Sequence, residues 1–340
     1  MPKLIASRLL TSILALLGAA AFAFIAIRVA PGDAARLTLG AFATDEAIAS
    51  LRVEMGLDRP LPVQFWIYLQ DFVTGDWGRS YSLGQPVSQL LASRFPATLE
   101  LGLYAFAMAF SAALAMALWG AHRQTPFSER LPQRLALFAL GVPQFWFGLV
   151  SLMIGFELLG LFPGPVGRLP PGMDAPGGPT GLFTIDALLV GEIGTFAAAF
   201  HHLILPAATL ALLPFGFLYR LLRANLADMS DASFALVARA HGQSRLRVLL
   251  KTLLPNAIIP TLTASGLIFG QLLAGSVLVE RVFNWPGAGA LVTQGVLTQD
   301  YSVVQTFILL SAAVYIVTNL LVDIVAALID PRLRSGGLQR

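Results

Sequence analysis

The feature that most constrains this chain is the distance between its charged residues. Five stretches of at least 19 residues contain no charged residue or histidine: Leu9 to Ile27, Leu101 to Ala121, Leu135 to Phe156, Thr252 to Val279 and Tyr301 to Val322. A bilayer core about 30 Å thick is crossed by about 20 apolar residues in a helix, so each stretch predicts a transmembrane helix. A sixth stretch of 17 residues, 203–219, contains Pro206 and Pro214, which neighbouring helices can accommodate. The sequence therefore predicts six transmembrane helices, of which the fourth is the shortest.

The composition argues against a soluble enzyme. Charged residues make up 12% of the 340 residues, against about 25% in soluble proteins. Cysteine is absent, which excludes disulfides and thiolate metal sites. The two lysines, Lys3 and Lys251, do not lie in a glycine-rich phosphate loop. If ATP drives this protein, another chain must bind it.

The distribution of Lys and Arg predicts the orientation. Segments 1–8, 122–134, 220–251 and 329–340 hold 14 basic and four acidic residues, whereas 28–100, 157–202 and 280–300 hold eight and 14. Cytoplasmic loops carry the excess of Lys and Arg, so both termini are predicted to lie inside. Lys3 and Arg8 before the first run also resemble a signal peptide, but the run exceeds the usual length of about 7–15 residues, and we interpret it as the first span.

The outside segments have distinct compositions. Thr44 precedes two acids and predicts the start of a helix that Gly56 ends, and aromatic residues at 65–77 predict a second helix near the membrane interface. We interpret this segment as a structural cap on the bundle rather than a ligand contact. The prolines and glycines of 163–179 predict an irregular loop, followed by helical character over 182–200. His201 and His202 are adjacent and point in different directions on a helix, so a structural role is favoured over a metal site.

The long inside segment 220–251 predicts a short amphipathic helix. Ser230 or Asp231 is the expected cap and Gly242 the expected stop with positive φ, after which Ser244 caps a second helix. Apolar residues exposed on the wet side favour docking to a partner; the alternative is a helix lying on lipid headgroups. The residues assigned to docking are Phe234, Ala238, Arg239, Ala240, His241 and Gly242.

Few polar residues lie within the predicted spans. Asp323 follows Asn319 by one helical turn, a spacing that favours hydrogen bonding between helices over a proton relay, because one acid without acidic or histidine partners does not form a relay. Small residues in the fifth span let a neighbouring helix approach closely. The candidate residues for a pore wall or packing seam are Gly266, Gly270, Gly275, Asn319 and Asp323.

Short motifs in a fixed order resemble those of the permease subunits of bacterial peptide-type ABC importers, the dipeptide and oligopeptide branch. Together they extend over nearly residues 1 to 335. They are Arg8-Leu9, Pro31-Gly32-Asp33, Met55 to Pro60, Gly75 to Ser80, Phe95 to Leu99, Pro143 to Gly148, Leu205-Pro206-Ala207, Ala238 to Gly242, Pro255-Asn256-Ala257, Glu280 to Phe283 with Pro286-Gly287, and Asp330-Pro331-Arg332.

The resemblance implies an all-α polytopic membrane protein with six transmembrane helices, both termini inside, and the type I ABC importer permease (MetI-like) fold with a helical extracytoplasmic segment after the first span. The expected organisation is an N-terminal tail and first span (1–30), the extracytoplasmic segment (31–98), a five-helix core (99–330) that contains the coupling loop 223–255, and a cytoplasmic tail (331–340).

The resemblance also implies a mechanism without catalysis by this chain. A coupling helix docks on an ATPase subunit, and closure of the ATPase dimer on ATP switches the spans between inward-open and outward-open forms. The expected partners are a second homologous permease, two ABC ATPase subunits that bind ATP and Mg²⁺, a periplasmic substrate-binding protein and the inner membrane bilayer, with no cofactor or metal on this chain and no nucleic acid. The solute is a peptide or peptide-like molecule.

Three positions depart from the family pattern. The glutamate of the coupling motif falls on Leu236, His241 replaces the usual lysine, and Gln299-Asp300 stands where Arg-Asp is common. Two other functions fit the sequence less well. An ion-gradient-driven transporter or channel would need internal repeats and midplane charges, and an intramembrane enzyme would need a paired-carboxylate or His-x-x-x-His constellation.

Overall fold

The computed structural model of the chain describes residues 2–29, 36, 43–54, 56–80 and 82–329. The side chains of 2–9, 27, 29, 51, 54, 274, 275, 323 and 325–329 lie outside this description. Within the described ranges the chain is helical and has no strand beyond an isolated bridge between Arg79 and Pro86, which confirms the all-α prediction there. The segment Pro31-Gly32-Asp33 and the tail from Asp330 fall outside the described residues.

The helices are numbered here in chain order. They are α1 (Pro2–Val29), α2 (Asp45–Glu54), α3 (Leu61–Thr74), α4 (Val87–Arg123), α5 (Pro126–Gly141), α6 (Gln144–Leu152), α7 (Phe183–Leu189), α8 (Ile193–Ser230), α9 (Ser233–Ala240), α10 (Arg245–Val248), α11 (Leu254–Gly275), α12 (Val277–Val282), α13 (Ala288–Leu297) and α14 (Tyr301–Ile329). Two π-helical segments, Met153–Leu158 and Leu249–Leu253, extend α6 and join α10 to α11.

Four helical stretches are long and apolar enough to cross a membrane: Val87–Arg123, Ile193–Ser230, Arg245–Leu273 and Tyr301–Val322. The bent pair α5 and α6 makes five if it is one span, and the described apolar part of α1, Leu10–Ala26, is shorter. Pro206 and Pro214 both lie inside the 38-residue helix α8, so the expectation that this stretch tolerates them is confirmed.

The predicted third span, Leu135 to Phe156, is not a continuous helix. α5 and α6 meet at an angle of 106°. Val142 between them is extended, with φ −96° and ψ 129°, because the ring of Pro143 disfavours helical backbone in the residue before it. The stretch is therefore a helix broken at Val142 rather than one straight helix, and its passage across the membrane stays a prediction.

The bent pair nevertheless follows α8 in antiparallel order. Glu129 meets Arg223, Gly216 lies against Leu140, and Gln144 donates to the carbonyl of Leu210. Further along, Gly148 lies against Thr209, Gly155 against Leu205, and the ring of His201 bonds to the carbonyl of Leu161. The chain thus runs beside α8 from residue 129 to residue 161.

The structure contains the elements predicted between the long apolar stretches. The hydroxyl of Thr44 accepts from the amide of Ala47 in the first turn of α2, and Gly56 has φ +64°. α3 is the predicted aromatic helix, and residues 163–179 form no helix. Helical character over 182–200 is interrupted, because α7 ends at Leu189 and α8 begins at Ile193.

The described contacts divide the chain into two compact units, Leu99–Trp285 with Val317–Arg340 and Pro2–Thr98 with Pro286–Ile316. In the second unit, apolar side chains of α4, α13 and α14 form a core that includes Val87, Leu91, Leu291 and Phe307. The amide of Ala288 donates to the hydroxyl of Thr98 over 2.8 Å and fixes the start of α13.

Candidate functional site

The strongest candidate is the segment that joins α8 to α10, in which α9 exposes most of its side chains. Ala235 and Ala238 are the buried residues of this helix. Phe234, Leu236 and Val237 are 40%, 55% and 56% exposed. A helix that packs on the protein through two alanines and leaves its large apolar side chains uncovered is a candidate for docking to a partner. We refer to Phe234, Leu236 and Val237 together as the docking surface.

Gly242 ends α9 in the predicted conformation, with φ +72°. The amide of Gly242 donates to the carbonyl of Arg239 over 2.9 Å, and that of Gln243 donates to the carbonyl of Ala238 over 3.3 Å. This pair of bonds is a Schellman motif, which requires a left-handed residue that glycine adopts most easily. The predicted helix stop is confirmed.

The predicted cap of α9 was wrong. The N-cap is Ala232, and the hydroxyl of Ser230 bonds instead to the carboxylate of Asp231. Ser244 does occupy the N-cap of α10, but without a side-chain bond. The start of α9 is therefore held by tertiary packing of Ala235 and Ala238 rather than by local capping.

The polar residues after α9 point back onto the protein. Nδ1 of His241 lies 2.9 Å from the carbonyl of Val237, one turn earlier in the same helix. Arg245 bonds to the side chain of Gln124 and, over 3.5 Å, to the carbonyl of His122. These bonds connect the start of α10 to the end of α4. α9 therefore lies between α8 on one side and this connection on the other.

The second predicted group lies where α11 meets α14. Gly266 is buried, and a Cβ added there would lie 3.0 Å from Oδ1 of Asn319 and 3.1 Å from Val322. Gly270 is also buried. Gly275 and Asp323 lie in the described helices, but the structure does not describe their side-chain environments. A hydrogen bond between helices from Asp323 therefore stays a prediction. Among these residues, the structure brings Gly266 and Asn319 together.

Sequence reasoning missed a polar link between α8 and α11. Nδ2 of Asn225 donates to the carbonyl of Ala257 over 3.2 Å and contacts the hydroxyl of Thr261 at 3.4 Å. Asn225 lies six residues before Asp231, where the connection to α9 begins. An asparagine between Leu222 and Leu226, both buried, was the available signal.

Sequence reasoning also missed a buried ion pair in the N-terminal half of α4. Arg168 donates to Glu100 over 2.6 Å, and the two side chains are 6% and 2% exposed. Glu100 also accepts from the amide and hydroxyl of Thr184 at the start of α7, over 2.8 and 2.7 Å. Burial lowers the pKa of Arg168, and the charge of Glu100 opposes this shift. The pair fastens the irregular loop to α4 and α7.

In the other unit, the buried carboxylate of Asp300 also joins two segments that are distant in the sequence. Its carboxylate accepts from the hydroxyl of Ser80 over 2.6 Å and from the amide and hydroxyl of Ser82 over 3.2 and 2.9 Å. Asp300 and Ser80 are both buried. The motif Gly75 to Ser80 is thereby joined to the residue before α14.

The two histidines have the structural role that was favoured. His201 contacts the carbonyl of Leu161, and Nδ1 of His202 lies 3.1 Å from the carbonyl of Gly167. Both tie the loop to α8. Across the described residues, no three His, Cys, Asp or Glu side chains are grouped to hold a metal ion.

Comparison with known proteins identifies the family. Residues 109–335 match the family described as "Binding-protein-dependent transport system inner membrane component", and residues 1–102 match its N-terminal family, "Binding-prot-dependent transport system membrane comp, N-term".

Individual relatives match over almost their whole length. The chain is 37% identical over 325 residues to the probable D,D-dipeptide transport system permease protein DdpB of Escherichia coli K12, covering 96% of this chain and 95% of the relative. It is 32% identical to the dipeptide transport system permease protein DppB of Alkalihalophilus pseudofirmus (96% and 98% covered) and 35% identical to the glutathione transport system permease protein GsiC of Salmonella typhimurium (96% and 97% covered).

The family and the apolar helices together make this chain a multi-pass membrane protein. The resemblance found in the motifs is confirmed over both family matches. The chain belongs to the binding-protein-dependent transport system inner membrane components, as a permease of the peptide-type ABC importers.

Proposed function

We propose that this chain is the transmembrane permease subunit of an ATP-driven importer that moves peptides or peptide-like solutes from the periplasm into the cytoplasm. The observation that carries the proposal is the uncovered docking surface on α9. This short helix connects the long apolar helix α8 to α10 and α11, and Gly242 ends it. The class of solute rests on relatives named for dipeptide and glutathione transport.

The proposed topology has six spans with both termini in the cytoplasm of a cell with an inner membrane. The bent pair α5 and α6 counts as one span, because it accompanies α8 from Glu129 to Leu161 without turning back. α1 is the first span. Segment 31–98 then lies outside, the core is 99–330 with the coupling loop 223–255 inside, and 331–340 is a cytoplasmic tail.

The proposed mechanism passes movement from α9 into the spans. An ATPase subunit, which binds ATP and Mg²⁺, grips the docking surface and moves α9 when the ATPase dimer closes. Gly242 and Arg245 transmit the displacement to α10 and α11, and Asn225 makes α8 and α11 move together. Import then follows from the different stability of two packings of the same helices. A second permease and a periplasmic binding protein complete the assembly.

Uptake into proteoliposomes tests the proposal. The chain is co-expressed with the neighbouring permease and ATPase genes, reconstituted, and supplied with the binding protein and a labelled dipeptide or glutathione. Uptake that needs ATP on the side of the membrane where the ATPase subunits lie supports the proposal. Uptake that ignores ATP but needs a pH or sodium gradient would instead indicate the ion-driven transporter, and isolation of the chain without any nucleotide-binding partner would contradict the coupling role.

A further inference from the structure

The outward face of α5 carries two arginines that the transport mechanism does not use. The opposite face of this helix buries Ser128, Pro132, Ala136 and Ala139. Arg130 and Arg134 are exposed and lie one turn apart at the centre of the outward face. They therefore point away from the packed side of the helix, toward whatever surrounds the protein.

Neither guanidinium is neutralised by the part of the chain that the structure describes. Glu129, the acidic residue next to Arg130 in α5, pairs instead with Arg223 at 3.5 Å. Within the described residues, Arg130 and Arg134 have no hydrogen-bond or ion-pair partner. Two positive charges one turn apart are left for an anion outside the chain.

Aromatic and aliphatic side chains frame these charges. Phe127 is 67% exposed and packs edge-to-face on Trp119, with ring centroids 5.9 Å apart. On the other side, Leu137 is 63% exposed. Aromatic rings settle at the headgroup level of a bilayer, and aliphatic residues beyond them contact the acyl chains. Along the face, the aromatic and cationic residues precede the aliphatic one, as expected if the start of α5 lies among the headgroups and the helix then enters the acyl region.

We propose that Arg130 and Arg134 form a binding site for the headgroup of an anionic glycerophospholipid, with Phe127 and Trp119 at the interface and Leu137 against an acyl chain. A planar guanidinium group can donate two parallel hydrogen bonds to the oxygens of one phosphate. Long arginine side chains also reach the headgroups while their methylene groups stay in apolar surroundings. The proposal rests on the proposed topology, which puts the start of α5 at the cytoplasmic surface.

Native mass spectrometry of the detergent-purified complex tests the site. Phosphatidylglycerol and phosphatidylcholine are added in equal amounts, and the ratio of retained lipids is measured. The wild type should retain phosphatidylglycerol preferentially. In Arg130→Gln/Arg134→Gln this preference should fall roughly fivefold for each arginine removed. Arg130→Lys/Arg134→Lys should keep part of it.

The matched control removes two exposed arginines elsewhere, in Arg59→Gln/Arg94→Gln, and should leave the ratio unchanged. Equal retention of both lipids by the wild type, or the same ratio in the wild type and Arg130→Gln/Arg134→Gln, would overturn the proposal. Loss of a protein subunit with unchanged lipid retention would assign the face to a protein partner and overturn it as well. The assay needs no transport, so a failure of the proposed transport function would leave the lipid ratio intact.

Discussion

At the scale of single residues, the proposed coupling depends most on the backbone conformation of Gly242. Its φ of +72° costs an L-residue about 1–2 kcal/mol, and a side chain there would meet nothing within 4 Å. The penalty is therefore one of conformation and not of space, and the helix stop should depend on it.

Gly242→Val is expected to insert normally but to lower ATP-coupled uptake by a factor of roughly 5–30, the equivalent of that conformational cost. Gly242→Asn should do less harm, because asparagine tolerates the left-handed region. Gly177→Val is the control, since Gly177 also has open space but not a left-handed φ. Unchanged uptake in Gly242→Val would show that the end of α9 has no role in coupling.

The ion pair of Glu100 and Arg168 makes the second prediction at this scale. Glu100→Gln leaves a buried guanidinium without its counter-charge and is expected to destabilise the protein by about 3–5 kcal/mol. Thermal unfolding in detergent measures the loss. Glu100→Gln/Arg168→Met removes both charges and should recover most of the stability; a double variant as unstable as the single one would contradict a dominant charge effect.

At the scale of helices, the contact of α11 with α14 depends on the absence of a side chain at Gly266. Gly266→Val places a Cβ about 3 Å from Asn319 and Val322, and overpacking of this kind is expected to cost about 1–3 kcal/mol. Unfolding in detergent, compared with Gly194→Val in the open first turn of α8, measures the cost. Equal stability of the two variants would mean that α14 can move away from the new side chain without loss of stability.

Most helices could be predicted from charge spacing and stop signals, because desolvating a charge in a bilayer is costly whatever the fold. The uncharged stretches, the helix after Thr44, the loop at 163–179 and the stop at Gly242 all followed from local chemistry. The bend at Pro143 also has a local cause, because proline disfavours helical backbone in the residue before it. The links of Glu100 to Arg168 and of Asn225 to Ala257 join residues 68 and 32 positions apart, and only the three-dimensional packing brings these pairs together.

At the scale of the whole molecule, the six-span topology predicts which positions each side of the membrane can reach. The chain has no cysteine, so single cysteines can be introduced without removing others. Asp174→Cys and Thr298→Cys, both at exposed positions, should react with an impermeant thiol reagent added outside, and Gln243→Cys should react only after the membrane is opened. Labelling of positions 174 and 243 from the same side would contradict the passage of α8, which lies between them, across the bilayer.

The central claim is that α9 receives its movement from a cytoplasmic ATPase subunit. A photo-crosslinking amino acid at Leu236, 55% exposed on the docking surface, tests it most directly. The matched control is Leu189, which is 65% exposed in a segment that the proposed topology puts on the opposite side of the membrane. Crosslinking in membranes that contain the co-expressed transporter should join position 236, but not 189, to the ATPase subunit. An adduct at position 236 with an extracytoplasmic protein, or crosslinking to lipid without the ATPase, would contradict the account.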